Sequence, residues 1–178
     1  MRITAAIQAA AAIIAGIFIT FSQIHDALIG NIGIAILAIG FAISSALLIA
    51  KKVSRIANVL NFVFYVGVAV FAIVLISQLD QVWFYGLMFI WPFVNGFFEV
   101  GNIFTAKPGS GERKDSVLSA LINFGLIVAI SISGVVSGID PVAFVGFFGA
   151  YAIILGVHLG ISSATPNGIS SATPKRIS

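Results

Sequence analysis

The sequence predicts an all-α polytopic membrane protein. It expects six transmembrane helices, paired into three repeated hairpins around a pseudo-three-fold axis. Three observations carry that expectation. The first is composition: 60% of the residues are apolar and 8% charged, with a mean hydropathy of +1.14. An average soluble domain is about 25% charged. A folded chain of this size still exposes much of its surface, so apolar surface on this scale has to meet lipid. The second is the spacing of charges. Arg2 and Asp26 enclose 23 uncharged residues, Asp26 and Lys51 enclose 24, Arg55 and Asp80 another 24, and Asp115 and Asp140 again 24. Between Asp80 and Lys107 the only charge is Glu99. A spanning helix needs about 20 mainly apolar residues. The third is a stretch that recurs three times: SQIHDALIG from Ser22, SQLDQVWFYG from Ser77 and SGIDPVAFVG from Ser137. Each copy holds one aspartate, then a glycine (Gly30, Gly86, Gly146), then a second glycine ten residues on (Gly40, Gly96, Gly156). An amide residue, Gln8, Asn61 or Asn123, precedes each aspartate by 17 to 19 residues. Internal repetition of this kind sets the architecture.

Helices rather than barrel strands follow from runs such as AAAAIIAGIFITF, which does not alternate polar and apolar positions. The first hairpin is expected over about 3–50, with helices at Ile3–Phe21 and Leu28–Ala50. The first of these also has the look of a signal peptide. Gln8 and Asp26 stand at the repeat's own positions, which assigns it to the first hairpin. The loop Lys51–Arg55 follows. The second hairpin is expected over about 57–104, with helices at Ala57–Ser77 and Val82–Phe104, and Pro92 bends its second helix by removing one backbone bond. That bend would open a lipid or cofactor cleft beside Trp91 and Phe93.

The polar loop Thr105–Ser116 contains Pro108, Gly109 and Gly111, and Asp115 or Ser116 is the expected cap of the fifth helix. The third hairpin is expected over about 116–161, with Pro141 in the first turn of its second helix. The six-helix domain thus covers residues 1–162. Two GISSATP copies begin at Gly160 and Gly168, and residues 163–178 read as a flexible cytoplasmic tail, since such a composition cannot bury a core.

All nine Lys and Arg residues fall on one side of these helices and Asp26, Asp80 and Asp140 on the other. The positive-inside rule makes the basic side cytoplasmic and places both termini there. Hairpins of matching orientation argue against transporters built from inverted repeats, whose units contain odd numbers of helices. The small net charge of +3 implies no nucleic-acid partner, and the absence of cysteine excludes disulfides and thiolate metal sites.

Polar groups inside the spans are the functional candidates, because they are costly in lipid. Glu99 and His158 each lie 17 residues from the acidic ends of their helices, roughly 26 Å down. With Gln8, Asn61, Asn95, Asn102 and Asn123 they form an expected polar layer in the inner third. Its sharp reading is a proton-responsive or cation-binding vestibule. Its bland reading, which is favoured, is hydrogen bonding between helices worth about 0.6 kcal/mol per contact. The aspartates read either as an acidic ring at an outer mouth or, preferentially, as caps of the following helices. No nucleophile, phosphate-loop or dinucleotide motif is present, and two histidines on opposite sides cannot share a metal. The expectation is a protein that is not an enzyme and holds no cofactor or metal, with membrane lipids and other subunits or further copies of itself as partners.

The glycine-rich even helices, such as GFFGAYAIILGVHLGIS, resemble the HdeD-like family of small bacterial membrane proteins. The stretch FITFSQIHDALIGNIGIAILAIGFAI is similar to the first hairpin of actinobacterial members. The resemblance covers about residues 3–162. It implies a six-helix fold and a part in acid or envelope stress response, and it brings no catalytic residues with it. The leading expectation is therefore a non-enzymatic stress-response or accessory membrane protein. The alternatives are a channel or proton-coupled transporter for a small solute, and a lipid- or pigment-binding subunit.

Overall fold

The computed structural model describes residues 2–78, 81–138 and 140–164; Asp80 and the tail beyond Ala164 lie outside the described residues. The described residues form six helices: α1 Arg2–Phe21, α2 Ala27–Ala50, α3 Arg55–Gln78, α4 Gln81–Thr105, α5 Gly111–Ser137 and α6 Pro141–Ala164. All six are long and apolar enough to cross a membrane. The chain is a multi-pass membrane protein with no strand among the described residues.

Local chemistry sets the helix ends. Asp26 caps α2, its Oδ1 accepting from the Ile29 N–H at 3.0 Å. Asp140 accepts from the Val142 N–H at 3.0 Å, and Pro141 opens α6 where its missing N–H has no helical partner to lose. At its far end α2 closes in a Schellman motif: the Val53 N–H donates to the Leu48 carbonyl at 3.1 Å and the Lys52 N–H to the Ile49 carbonyl at 3.0 Å. Lys52 takes the left-handed position there, with φ 57°.

The start of α5 departs from the sequence expectation. Ser110 is the cap, accepting from the Arg113 N–H at 3.2 Å, and Asp115 and Ser116 already lie within the helix. Gly109 adopts φ 77° and reverses the chain tightly enough for the helix to begin at Gly111. Similarly α6 continues to Ala164, past the expected end at Ile161.

Helices α2, α4 and α6 touch one another at the centre. Around them, α1 packs between α6 and α2, α3 between α2 and α4, and α5 between α4 and α6. The centre is filled with fully buried side chains: Ile34 and Leu37 from α2, Phe84, Met88 and Trp91 from α4, Val145 and Phe148 from α6. Glycine permits the closest approaches. A Cβ on Gly16 would stand 2.9 Å from the Ile153 backbone nitrogen, and one on Gly156 2.9 Å from that of Ile13. These two sites seat α1 directly on α6. Pro92 is accommodated inside a continuous α4, and Trp91 is buried among Phe41, Phe64 and Tyr65 with ring centroids 5.4 to 6.3 Å away. The cleft expected beside Trp91 is thus filled by aromatic rings.

Candidate functional site

Between the middle of the bundle and the end carrying the Lys51–Arg55 and Lys107–Lys114 loops runs a chain of buried hydrogen bonds. It starts on α3, where the Tyr65 hydroxyl donates to Asn95 Oδ1 of α4 at 2.8 Å. The Asn95 amide donates back to the Trp91 carbonyl at 2.7 Å. The Trp91 indole N–H then donates to the Tyr151 hydroxyl of α6 at 3.0 Å, and that hydroxyl donates to Asn123 Oδ1 of α5 at 2.8 Å. Asn123 donates in turn to the Ser119 carbonyl at 2.8 Å. Finally His158 Nε2 on α6 lies 3.0 Å from the Ser119 hydroxyl and 3.2 Å from the Asp115 carbonyl. Side chains from four helices are joined, and Tyr65, Trp91, Asn95, Ser119, Asn123, Tyr151 and His158 are all buried.

Each link has a local reason. Asn95 and Asn123 turn one amide arm onto the carbonyl four residues earlier in their own helix, which satisfies that arm and fixes the side chain. The remaining Oδ1 then accepts a tyrosine hydroxyl from a neighbouring helix. Tyrosine and tryptophan supply apolar bodies for the core and one polar atom each for the chain.

Glu99 and Asn102 form a separate, less buried pair near the basic end of α4. The Asn102 amide donates to Glu99 Oε2 at 3.3 Å, and the Ser116 hydroxyl of α5 is a second partner of the carboxylate. Glu99 and His158 do not meet: α5 stands between them, with Ser116 toward one and Ser119 and the Asp115 carbonyl toward the other. Gln8 is half-buried on α1 and is not joined to the network. Asn61 is half-buried on α3, with an Oδ1 that has no hydrogen-bond partner. The expected layer therefore separates into a connected part (Asn95, Asn123, His158), a peripheral pair (Glu99, Asn102) and two residues standing apart.

Asp26 and Asp140 each bind the amides that start the next helix, and Asp80 lies outside the described residues. Among the described residues no cluster of His, Cys, Asp or Glu is suited to a metal. Sequence reasoning missed Tyr65, Trp91, Ser119 and Tyr151 as network members. It also missed Asn31 of α2, fully buried with neither amide atom hydrogen-bonded. Comparison with family models, with curated proteins and with solved structures finds no match.

Proposed function

We propose that this chain is a solute-tight, non-enzymatic integral membrane protein of the HdeD-like type. It acts in envelope or acid stress response, or as an accessory subunit, in the bacterial cytoplasmic membrane with both termini inside. One observation carries the reading: where α2, α4 and α6 meet, the middle of the bundle is filled by fully buried Phe84, Met88, Trp91, Val145 and Phe148. A permeation path needs polar groups that continue from face to face. Here the hydrogen-bond chain begins at mid-depth and ends on the backbone of α5. Such a chain holds helices together in a medium where apolar contact alone gives little preference for one partner helix over another.

The contacts also support three repeats about a pseudo-three-fold axis. Each of α1, α3 and α5 packs more extensively on α6, α2 and α4, respectively, than on its other neighbour. Ala35, Trp91 and Tyr151 each lie five residues beyond the first glycine of their repeat, and Trp91 and Tyr151 are in direct contact.

The test is flux. Purified protein in liposomes loaded with a pH dye and a potassium gradient should show background leakage at neutral and mildly acidic pH. Leakage above background that Glu99→Gln or Tyr151→Phe suppresses would overturn this reading in favour of a channel. Reporter fusions at Gly109 and after Ala164 should both read cytoplasmic.

A further inference from the structure

We infer that the furrow between α2 and α3, together with the Lys51–Arg55 turn above it, is a binding site for an anionic phospholipid. This goes beyond the proposed function and rests only on the chain's spanning a membrane. The furrow has a volume of about 350 Å³ and is lined by Ile39, Ala42, Ile43 and Ala46 of α2 and by α3 residues from Phe62 to Ile73, all apolar. Its form follows from side-chain size. Ala42 and Ala69 are buried and make a low floor, while Ile39, Ile43, Val70 and Ile73 stand half-exposed as rims. Toward the basic end the furrow begins at Ala46 and Phe62, five residues before Lys51 and seven after Arg55. At 1.5 Å per residue that is roughly 8 to 10 Å below the turn. From there it continues past the depth of one leaflet, about 15 Å of hydrocarbon. A lipid whose headgroup sits at the turn would therefore lay one acyl chain along the furrow.

The headgroup chemistry comes from the turn. Lys51, Lys52 and Arg55 are exposed, and no ion pair engages them among the described residues. Two of the three occupy positions that local energetics disfavour. Lys52 holds φ 57°, where glycine is the low-energy residue. Arg55 is the first residue of α3, at the positive end of its helix dipole. Topological selection asks for cations somewhere in this loop, not at these two places. The turn is also held in shape: the Asn58 amide donates to the Val53 carbonyl at 2.8 Å and to the Ser54 carbonyl at 3.3 Å. A fixed group of three cations over an acyl-sized furrow matches a phospholipid whose headgroup carries net negative charge. Basic sites between helices bind such headgroups, each cation contributing about fivefold in affinity.

The experiment is native mass spectrometry of the full chain released from detergent with phosphatidylglycerol or phosphatidylcholine of identical acyl chains. We expect one phosphatidylglycerol retained in preference to phosphatidylcholine. Lys51→Gln/Lys52→Gln/Arg55→Gln should cut that retention on the order of a hundredfold, and Lys107→Gln/Lys114→Gln should leave it largely intact. Lys52→Gly is the sharpest variant, since it should raise the melting temperature while lowering phosphatidylglycerol retention about fivefold. Ala46→Leu keeps every cation and fills the furrow, so it should lower retention of both lipids. Equal retention of the two lipids by the wild type overturns the proposal, as does an equal loss from the triple and the double loop variant. A dimer of delipidated protein that Ala46→Leu abolishes would give the furrow to a second copy and also overturn it.

Discussion

The two sides of the bundle are held together by different chemistry. Where α1 meets α6 and α2, the contacts are backbone-close and made by small residues: Gly16 and Gly149 against Ile153 and Ile19, Gly156 against Ile13, Gly40 against Ala11. Where α4 meets α3 on one flank and α5 on the other, rings and hydrogen bonds do the joining: Tyr65 with Asn95, Phe64 with Trp91, Phe97 with Phe124, and Tyr151 of α6 reaching across to Asn123. Both are answers to the same difficulty. In lipid, burying apolar area does not distinguish one helix face from another, so specificity has to come from close fit or from polar pairing. Close fit tolerates no added atom. Polar pairing tolerates shape changes and fails when one partner is removed.

That contrast can be broken most strongly at the glycines. Gly16→Ala and Gly156→Ala should each lower stability by about 2–3 kcal/mol, because the added methyl meets backbone atoms that cannot yield. Reversible unfolding in mixed detergent micelles measures this. Next comes Tyr151→Phe, which orphans the Trp91 N–H and Asn123 Oδ1 while keeping the ring. A loss of about 1–2 kcal/mol is expected by the same measurement, and a silent substitution would remove the network from the forces holding α5 and α6 together. Asn31→Leu should act in the opposite direction, raising stability by about 1 kcal/mol, since it replaces a buried amide without partners by an apolar side chain of similar volume. A loss there would show that the amide has a bound partner. The smallest effect belongs to Gly67→Ala and Gly125→Ala. These positions have open space, so each should gain about 0.5 kcal/mol from helix propensity alone. Comparing them with Gly16 separates glycines that make room for a neighbouring helix from glycines that stand in open space.

The positions of the helices were legible because charge is nearly absent from the spans, so Asp26, Lys51, Arg55 and Asp140 mark the boundaries almost by themselves. The start of α5 was not, because the turn depends on the left-handed backbone of Gly109 and leaves Ser110 as the cap. Of the candidate site, depth was readable and azimuth was not. Gln8, Asn61 and Asn123 each precede an aspartate by 17 to 19 residues, yet only Asn123 accepts from a tyrosine hydroxyl. Glu99 and His158 share a level, yet both address α5. Tyr65 and Tyr151 were not legible as network members, and Trp91 only as the edge of a cleft, because, in a chain with 16 phenylalanines, an aromatic ring reads as packing until its one polar atom is located.

The extensive contact between α1 and α6 bears on biogenesis. The first helix can dock on α2 as soon as that hairpin has formed, but its most intimate partner is the last of the six. The ring therefore stays open on one flank while four further helices insert, and Gly16 and the Ala9 backbone face lipid or an insertase until α6 arrives. Assembly of this kind postpones its tightest contact to the end. Because α1 and α6 lie side by side, with Arg2 and Ala164 at the same end of the bundle, the order of helices around the ring does not depend on where the chain is cut. A circular permutant joined from Ala164 to Arg2 and opened at Gly109 should close the same ring, with α4 then the last helix to insert and its contact with α5 the last to form.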